Sequence, residues 1–336
     1  MPTNAGLHLA RRTGTATMNF APYIEKIRPR LDDRIAELLR PVAFNQETTE
    51  MILRGKRLRG GLLLVVHEAL TASEADDVAL DLAAAIELAH ASSLILDDVI
   101  DEDEERRGAP ALHMTFGQKQ ALLEAIGVLS IPYRVVAPHG TAYVRHLAET
   151  QIRMASGASV EVSAGASPSA SDLYDAIITR KTAELFGLAA FWGAISAGCT
   201  DDGYRRFGVH CGRILQIVDD AADFYAFLAG KRQHLTGSEL LLLRAVTAER
   251  GDHGGEYSVS AANRASQSRS TRWMEGQVQR WAETMLDRET ACARGCLTQV
   301  VSGDQERFQI LWHAPAGIAA AMVGSLQERG QAAISA

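Results

Sequence analysis

Two groups of aspartates in this chain have the pattern DDxxD, a spacing that could hold a cation. Their members are Asp97, Asp98 and Asp101 in the first group and Asp219, Asp220 and Asp223 in the second. Residues four apart lie on one face of a helix, so Asp97 stacks with Asp101 and repels it. A folded protein tolerates such a pair of like charges when a cation lies between them. Each group also lies within an otherwise apolar stretch.

The oxygen donors of these two groups are the kind that magnesium prefers. Mg2+ is usually held by one or two carboxylates together with water and phosphate oxygens, and this donor set does not suit zinc or copper. We therefore expect the two groups to bind Mg2+ and, through it, a polyanionic ligand. One such group alone could equally be a solvated acidic helix face, but two groups within apolar stretches make that reading much weaker.

Basic residues near the aspartates could bind the same anion. Lys56 and Arg59 lie in the motif GKRLRG, and Arg106 and Arg107 follow the first aspartate group. Lys181 lies in an apolar helix, where its ammonium must reach solvent or meet an anion. Arginine clamps and Mg2+ are common means of holding a diphosphate. Each basic pair alone is more often surface charge, but together with the carboxylates these residues outline a diphosphate site.

The composition is that of a globular protein. The chain has 336 residues, of which 47% are hydrophobic and 22% charged, and its net charge of -7 argues against nucleic-acid binding. No apolar run approaches the roughly 18 residues of a transmembrane helix. Residues 1–18 lack the apolar core of a signal sequence and are predicted to be a disordered leader. The cysteines lack metal-binding spacing and are predicted to be reduced core thiols of a cytoplasmic protein; they are Cys199, Cys211, Cys292 and Cys296.

Long proline-free stretches predict an all-α chain. They are rich in residues that favour helices, and strand signals are weak. A polar segment at 251–272 is predicted to be a surface loop. Otherwise residues 19–330 are expected to form one domain, a helical bundle in which the two aspartate groups face each other across a cavity. The predicted helices cover residues 21–40, 57–71, 76–103, 116–136, 141–163, 171–198, 203–228, 238–250, 273–299 and 304–328.

Several motifs, in order along the chain, resemble those of the trans-isoprenyl diphosphate synthases, the polyprenyl synthetase family. They are GKRLRG, HASSLILDDVIDEDEERRGAPALH, RKTAELF and GRILQIVDDAAD. The resemblance covers roughly residues 21–245 and implies an all-α bundle of the isoprenoid synthase type around a deep central cavity. It also implies a Mg2+-dependent head-to-tail condensation of an allylic prenyl diphosphate with isopentenyl diphosphate. Members of the family are usually homodimers.

The resemblance also implies a role for each motif residue. The six aspartates would hold Mg2+, and Lys181, Thr182 and Gln216 would lie against the ionising carbon. The residues that would bind the two diphosphates form two sets: Lys56, Arg59, His90 and Arg107 for isopentenyl diphosphate, and Arg106, Lys181 and Lys231 for the allylic diphosphate.

The product length is predicted from residues before the first aspartate group. Short-chain members of the family tend to place an aromatic floor one helical turn before it, where this chain has Ser92 and Ser93. Two serines would leave the path open, which predicts a product longer than farnesyl diphosphate, with geranylgeranyl diphosphate expected. A deeper plug from Leu122, Leu123 or Ile126 could end the chain there. Alternatively, the two serines are only small residues that let helices pack.

The sequence departs from the family pattern at several positions. Gly60 takes the place of a proline, and Glu161 lies where a Gln-x-x-Asp segment is usual. The Gly-Asp pair after the second aspartate group is missing, which puts Lys231 in doubt. Two other functions stay open, a terpene cyclase on the same fold and a regulatory subunit of a heteromeric prenyl synthase. The intact isopentenyl diphosphate residues argue against the first, and the six intact aspartates argue against the second.

Overall fold

The structure, a computed structural model, describes residues 17–163, 170–228, 235, 237–247, 269–297 and 304–335. Nearly all of these residues are helical, which confirms the predicted all-α fold. The α-helices, numbered in chain order, are α1 (Thr17–Leu39), α2 (Gln46–Leu53), α3 (Leu58–Thr71), α4 (Asp77–Ile100), α5 (Leu112–Phe116), α6 (Gln118–Val136), α7 (Thr141–Ser163), α8 (Ala170–Ile177), α9 (Glu184–Ser196), α10 (Gly203–Leu228), α11 (Gly237–Thr247), α12 (Arg269–Leu297) and α13 (Gln305–Ser335).

Three short elements interrupt the helices. A hairpin of two-residue strands, β1 (Glu105–Arg106) and β2 (Ala109–Pro110), follows α4 and is antiparallel. A 3-10 turn at Ala137–His139 joins α6 to α7, and a π-helical turn at Ile178–Ala183 joins α8 to α9. The hairpin carries Arg106 and Arg107, and the π-helical turn carries Lys181.

Helix α4 runs through the middle of the bundle. The side chain of Asp76 caps its first turn by accepting a 2.8 Å hydrogen bond from the Ala79 amide. The sequence that follows is apolar on nearly every face, as expected of a helix buried on all sides, and it packs against α1, α3, α6 and α9. The apolar part of α4 therefore anchors the polar end that carries the first aspartate group.

Helix α10 carries the second aspartate group and packs against α9, α12, α13 and the π-helical turn. Its close approach to that turn depends on Gly212, because a Cβ there would lie only 2.6 Å from the Cα of Ala183. The buried apolar side chains of the described residues form two clusters, and the smaller one includes Tyr174, Ile178 and Phe224. This smaller cluster packs against the π-helical turn and the part of α10 that carries the second aspartate group.

Contrary to the prediction that no apolar run approaches such a length, two described helical stretches are long and apolar enough to cross a membrane by length and composition, namely α4 and Gln118–His139. Most of α4 is buried within the bundle, which is typical of a core helix. Less than half of the stretch at Gln118–His139 is buried. Its outer side chains include Leu122, Leu123 and Ile126, which are 40%, 63% and 59% exposed. These three residues are therefore not a plug inside this chain, contrary to that prediction.

The predicted helix boundaries differ from the observed ones where the backbone changes direction. The helix predicted over 76–103 ends at Ile100, because Glu102 has a positive φ of 56° and the chain turns into the hairpin. The helix predicted over 116–136 is divided at Gly117, whose φ is 84°. The helix predicted over 171–198 is interrupted by the π-helical turn. Helix α2 has no counterpart among the predictions, because eight residues carry little periodic signal.

Several predictions fall partly outside the described residues. Of the predicted leader, residues 1–16 lie outside, and Thr17 and Met18 begin α1. Of the predicted loop at 251–272, the last four residues belong to α12 and the rest lie outside. All four cysteines are free thiols. Cys211 is buried and Cys199 and Cys296 are half-buried, but Cys292 is exposed, so the prediction of a core thiol is wrong for Cys292.

Candidate active site

The π-helical turn at Ile178–Ala183 places Lys181 and Thr182 between the two aspartate groups. The amide of Glu184, which ends the turn, donates to the carbonyl of Thr179, five residues back. A π-helical turn within an α-helix is rare and frequently marks a functional site. The turn packs against α7 on one side and α10 on the other. A small pocket opens here and is lined by Ile177, Ile178, Lys181, Thr182 and Gln216.

A cation lies close to both stacked carboxylates of the first aspartate group, and it is the ammonium of Lys181. Its Nζ is 3.8 Å from Asp97 Oδ1 and 3.9 Å from Asp101 Oδ2. It also donates a 2.6 Å hydrogen bond to Glu161 Oε2 on α7. The repulsion expected between Asp97 and Asp101 is therefore partly offset in the protein without metal.

Burial changes the acid–base properties of this cluster. It raises the pKa of Asp97 to about 6, although the nearby Lys181 opposes the change. Burial also raises the pKa of Asp101. Burial alone would lower the pKa of Lys181, but the carboxylates of Asp97 and Glu161 outweigh it and raise that pKa above its ordinary value. The lysine is therefore charged, and the two aspartates are desolvated anions that favour a cation.

Asp98 lies apart from Lys181 and is bound by Arg106 from the hairpin. Arg106 Nε donates a 2.6 Å hydrogen bond to Asp98 Oδ1, and Arg106 also bonds Asp103 at 2.9 Å. Asp98 is buried, and burial raises its pKa above the ordinary value although the hydrogen bond from Arg106 opposes the change. In this arrangement Asp98 orients Arg106, which was predicted to bind the allylic diphosphate.

The second aspartate group is tied to the π-helical turn by a chain of hydrogen bonds. Thr182 Oγ1 donates to Gln216 Oε1 at 2.7 Å, and Gln216 Nε2 donates to Asp220 Oδ1 at 2.9 Å. The hydroxyl of buried Tyr174 donates to the other oxygen of Asp220 at 2.8 Å. Burial and the Asp220 carboxylate raise the pKa of Tyr174 well above its usual value, so the phenol remains a donor. Tyr174 had no recognisable signal in the sequence.

Three of the four residues predicted to bind isopentenyl diphosphate form a positively charged cluster. The guanidinium of Arg59 lies 4.5 Å from the centre of the Phe186 ring. Burial lowers the pKa values of Arg59 and Arg107 to about 10, so both stay charged at neutral pH. Burial and these two arginines hold the pKa of His90 well below its ordinary value, so its imidazole is neutral. The fourth residue, Lys56, has its Nζ 3.2 Å from Met322 Sδ on α13.

Glu87 is a buried carboxylate close to this cluster, and the sequence analysis did not identify it. It lies 3.8 Å from the guanidinium of Arg57 and accepts a 2.7 Å hydrogen bond from the Gly60 amide. Its negative charge acts to raise the pKa values of Arg59 and Arg107, against the effect of burial. A proline has no amide N–H. The departure of Gly60 from the family pattern therefore adds a hydrogen bond to Glu87.

The remaining predicted residues have different outcomes. Lys231 lies outside the described residues. Ser92 is fully buried, and its Oγ donates a 3.0 Å hydrogen bond to the Ala125 carbonyl on α6. Ser93 is half-buried, and its Oγ bonds the His90 carbonyl in its own helix. Ser92 thus has the packing role that was considered as an alternative, and Ser93 is the better candidate for the side chain beside a growing product.

The donor set of the first aspartate group fits a hard divalent cation. Asp97 and Asp101 offer carboxylate oxygens, the donors Mg2+ prefers, and both already lie within 4 Å of a charged ammonium. Within the described part of the chain, no three His, Cys, Asp or Glu side chains form a group that could hold a metal ion by themselves. This is expected of a magnesium site that takes its remaining ligands from water and substrate phosphates.

Comparison with known proteins supports the resemblance seen in the sequence. The chain matches the model of a protein family described as polyprenyl synthetase over residues 42–233. A geranylgeranyl diphosphate synthase of Pantoea ananas is 30% identical over 219 residues, which cover 59% of this chain and 72% of that protein. A geranylfarnesyl diphosphate synthase of Methanosarcina mazei is 30% identical over 189 residues, which cover 55% of this chain and 63% of that protein. This chain thus spans slightly less than two thirds of the second relative.

A solved structure shows the same fold. It is a polyprenyl synthase from Caulobacter crescentus CB15 in complex with calcium and isoprenyl diphosphate. It aligns with a TM-score of 0.71 at 22% identity, over 90% of this chain and 98% of that chain. The predicted isoprenoid synthase architecture is therefore confirmed.

Proposed function

Since this chain belongs to the polyprenyl synthetase family, a family of trans-prenyltransferases, we propose that it condenses an allylic diphosphate with isopentenyl diphosphate. The observation that carries the proposal is the π-helical turn, which reaches both aspartate groups through consecutive residues. Lys181 contacts Asp97 and Asp101, while Thr182 is linked through Gln216 to Asp220. A ligand between the two aspartate groups would meet Lys181 and the carboxylates of α4 on one side and the carboxylates of α10 on the other.

The allylic diphosphate would bind beside the first aspartate group. Asp97 and Asp101 would hold Mg2+ there, and Asp219 and Asp223 would hold a further Mg2+ from α10. Bound Mg2+ supplies positive charge that stabilises the departing diphosphate. Lys181 and Arg106 would add charge-assisted hydrogen bonds to the same group.

The ionised carbon would lie against the pocket at the π-helical turn. Ile177 and Ile178 make one side of this pocket apolar, which excludes water from a reactive carbocation. The oxygens of Thr182 and Gln216 lie on the same pocket and can direct partial negative charge at the cation. Thr182 and Gln216 are hydrogen-bonded to each other, so their positions are set before the substrate arrives.

Isopentenyl diphosphate would bind at the cluster of Arg59, His90 and Arg107. Two arginines that stay charged in a buried site are suited to a dianionic diphosphate. The neutral imidazole of His90 adds a hydrogen bond without adding charge. The alkene would then attack the allylic cation, and the released diphosphate would take the final proton, so the reaction needs no dedicated side-chain base.

The proposal is tested by incubating the purified protein with farnesyl diphosphate, isopentenyl diphosphate and Mg2+, and identifying the products by mass spectrometry. We expect a prenyl diphosphate longer than the primer. Diphosphate release from geranylgeranyl diphosphate alone, with no elongation in the full mixture, would instead indicate a terpene cyclase. No turnover until a second chain is added would indicate a regulatory subunit.

We further propose that the product is geranylgeranyl diphosphate, because the small side chain of Ser93 would leave space beside a growing chain. Ser93→Phe is expected to shorten the product, since an aromatic ring one turn before Asp97 would block that space. Ser92 is not suitable for this test, because it is fully buried against α6. The measurement is the product distribution by liquid chromatography with geranyl diphosphate as the primer, which allows a product shorter than geranylgeranyl diphosphate, and Ser93→Ala is the control that adds no bulk. An unchanged product with Ser93→Phe would refute the proposed role of this position.

We also propose that the chain forms a homodimer through the outer face of α6, defined by Leu122, Leu123 and Ile126. A contiguous exposed apolar surface commonly marks an interaction site. The double substitution Leu123→Glu and Ile126→Glu is expected to convert the dimer to a monomer, because it would place charges in an apolar interface. Sedimentation velocity distinguishes the dimer from the monomer by their sedimentation coefficients. Substitution of exposed Glu149 on α7 by lysine is the control, and a wild-type monomer at micromolar concentration would contradict the proposal.

A further inference from the structure

Glu161 on α7 is the carboxylate nearest to the Lys181 ammonium among the described residues, and none of the roles described above includes it. The hydrogen bond between Lys181 Nζ and Glu161 Oε2 is 2.6 Å long, whereas Asp97 and Asp101 lie 3.8 and 3.9 Å from the same nitrogen. The Glu161 side chain is 11% exposed. The lysine is therefore held by Glu161 while its ammonium still lies close to the two aspartates.

The fold brings Glu161 to this position through a close contact of α7 with the π-helical turn. Gly157 precedes Glu161 by four residues and lies on the same face of α7. A Cβ at Gly157 would be 2.7 Å from Arg180 Cβ and 2.8 Å from the backbone nitrogen of Lys181. Glycine thus permits the backbones to touch, and one turn later Glu161 meets the Lys181 side chain.

For Lys181 and the three carboxylates near its Nζ, one arrangement balances the charges once a divalent cation is present. Asp97, Asp101 and Glu161 carry three negative charges, and the ammonium offsets one of them. A divalent cation between Asp97 and Asp101 would be neutralised by those two carboxylates. The lysine would then be neutralised by Glu161 alone. Without Glu161, a lysine and a divalent cation would compete for the same two aspartates.

We propose that Glu161 is a positioning residue that binds Lys181 and so frees Asp97 and Asp101 to take up the divalent cation. This rests on the proposed function in one respect, namely that the first aspartate group binds a metal. Glu161 acts through the lysine rather than as a ligand. Among the described residues, it does not join Asp97 and Asp101 in a grouping close enough to hold a metal.

A double-mutant cycle with metal binding as its readout tests the proposal without requiring turnover. The probe is Mn2+ alone, added to the metal-free full-length protein, with free Mn2+ measured by electron paramagnetic resonance. The site of interest is defined as the one lost in Asp97→Ala. Four proteins are compared at that site: the wild type, Glu161→Gln, Lys181→Met and the double variant. Glu149→Gln on the same helix is the matched control, because Glu149 is exposed.

We expect Glu161→Gln to raise the Mn2+ dissociation constant at least about fivefold, because Lys181 then stays between the aspartates. Lys181→Met should lower it, since the competing cation is gone. In the Lys181→Met background, Glu161→Gln should have almost no effect, and that coupling separates action through the lysine from direct attraction of the metal. Glu161→Asp, which keeps the charge, should restore most of the wild-type affinity.

Two results would overturn the proposal. Equal effects of Glu161→Gln in the wild-type and Lys181→Met backgrounds would show that Glu161 acts on the metal directly. An unchanged dissociation constant in Glu161→Gln would show that it has no part in metal uptake. Thermal melts of each variant establish that it is folded. A failure of the proposed function itself would be seen separately, as absent prenyl transfer by a wild-type protein that still binds Mn2+.

Discussion

Asp97→Ala is expected to lower kcat by about 10²–10³-fold, the size of effect found when one pre-positioned group that stabilises transition-state charge is removed. Asp97 contributes one of the two carboxylates stacked beside Lys181. Without it, the metal-bridged diphosphate would lose a ligand when negative charge develops on the leaving group. The loss should appear in both kcat and kcat/KM, because the contact is strongest in the transition state.

The loss of activity in Asp97→Ala is not expected to come from unfolding. Burial makes the charged form of Asp97 unfavourable, as its raised pKa shows. Its removal also relieves repulsion with Asp101, while Lys181 retains Asp101 and Glu161 as partners. We therefore expect the metal-free variant to be at least as stable as the wild type, as is common when a strained active-site group is removed.

Steady-state kinetics at saturating Mg2+, together with urea unfolding, separates the two effects in Asp97→Ala. Asp77→Ala is the matched control, since Asp77 is exposed at the other end of the same helix. The control should retain wild-type turnover. A decrease in kcat of less than about tenfold in Asp97→Ala would show that the first aspartate group has no direct part in the reaction.

Arg57→Ala should lower the free energy of unfolding by about 3–5 kcal/mol, the usual cost of removing one partner from a buried ion pair. Arg57 is 2% exposed and donates to Asp32 at 2.5 Å. It also donates to the carbonyls of Ile52 and Leu53 at the end of α2. Its loss would leave these acceptors without their donor and would remove the nearest guanidinium from buried Glu87.

Urea unfolding of Arg57→Ala and Arg54→Ala provides the test. Arg54 is three residues earlier, is exposed and pairs with Glu50 on the surface of α2. Exposed pairs of this kind contribute about 0–1 kcal/mol. Similar midpoints and slopes of the urea unfolding curves for the two variants would mean that Arg57 does not stabilise the fold more than Arg54 does. The comparison also separates Arg57 from its neighbours Lys56 and Arg59, which were predicted to bind substrate.

Much of the fold followed from local sequence properties. Helix periodicity and proline placement predicted most of the helices, because both act within a few residues. The same periodicity placed Asp97 and Asp101 on one face and predicted that a cation would lie between them. A cation does lie there, but it is Lys181, more than seventy residues away along the chain. That contact depends on the packing of α4 against its neighbours and on the π-helical turn, which no sequence pattern predicted.

The residue types and their order thus determined the helical fold and the family, and they predicted the chemistry of the two aspartate groups. Only the tertiary structure decided which charges are paired within the site. Tyr174 and Glu87 lacked a motif of their own, and the motifs around Arg57 and Glu161 did not show their partners, because each of the four acts through a residue of another element. The contacts of the π-helical turn with α7 and α10 depend on Gly157 and Gly212, where a single Cβ would separate the backbones. Such contacts arise from packing between distant segments, and no local sequence window contains both partners.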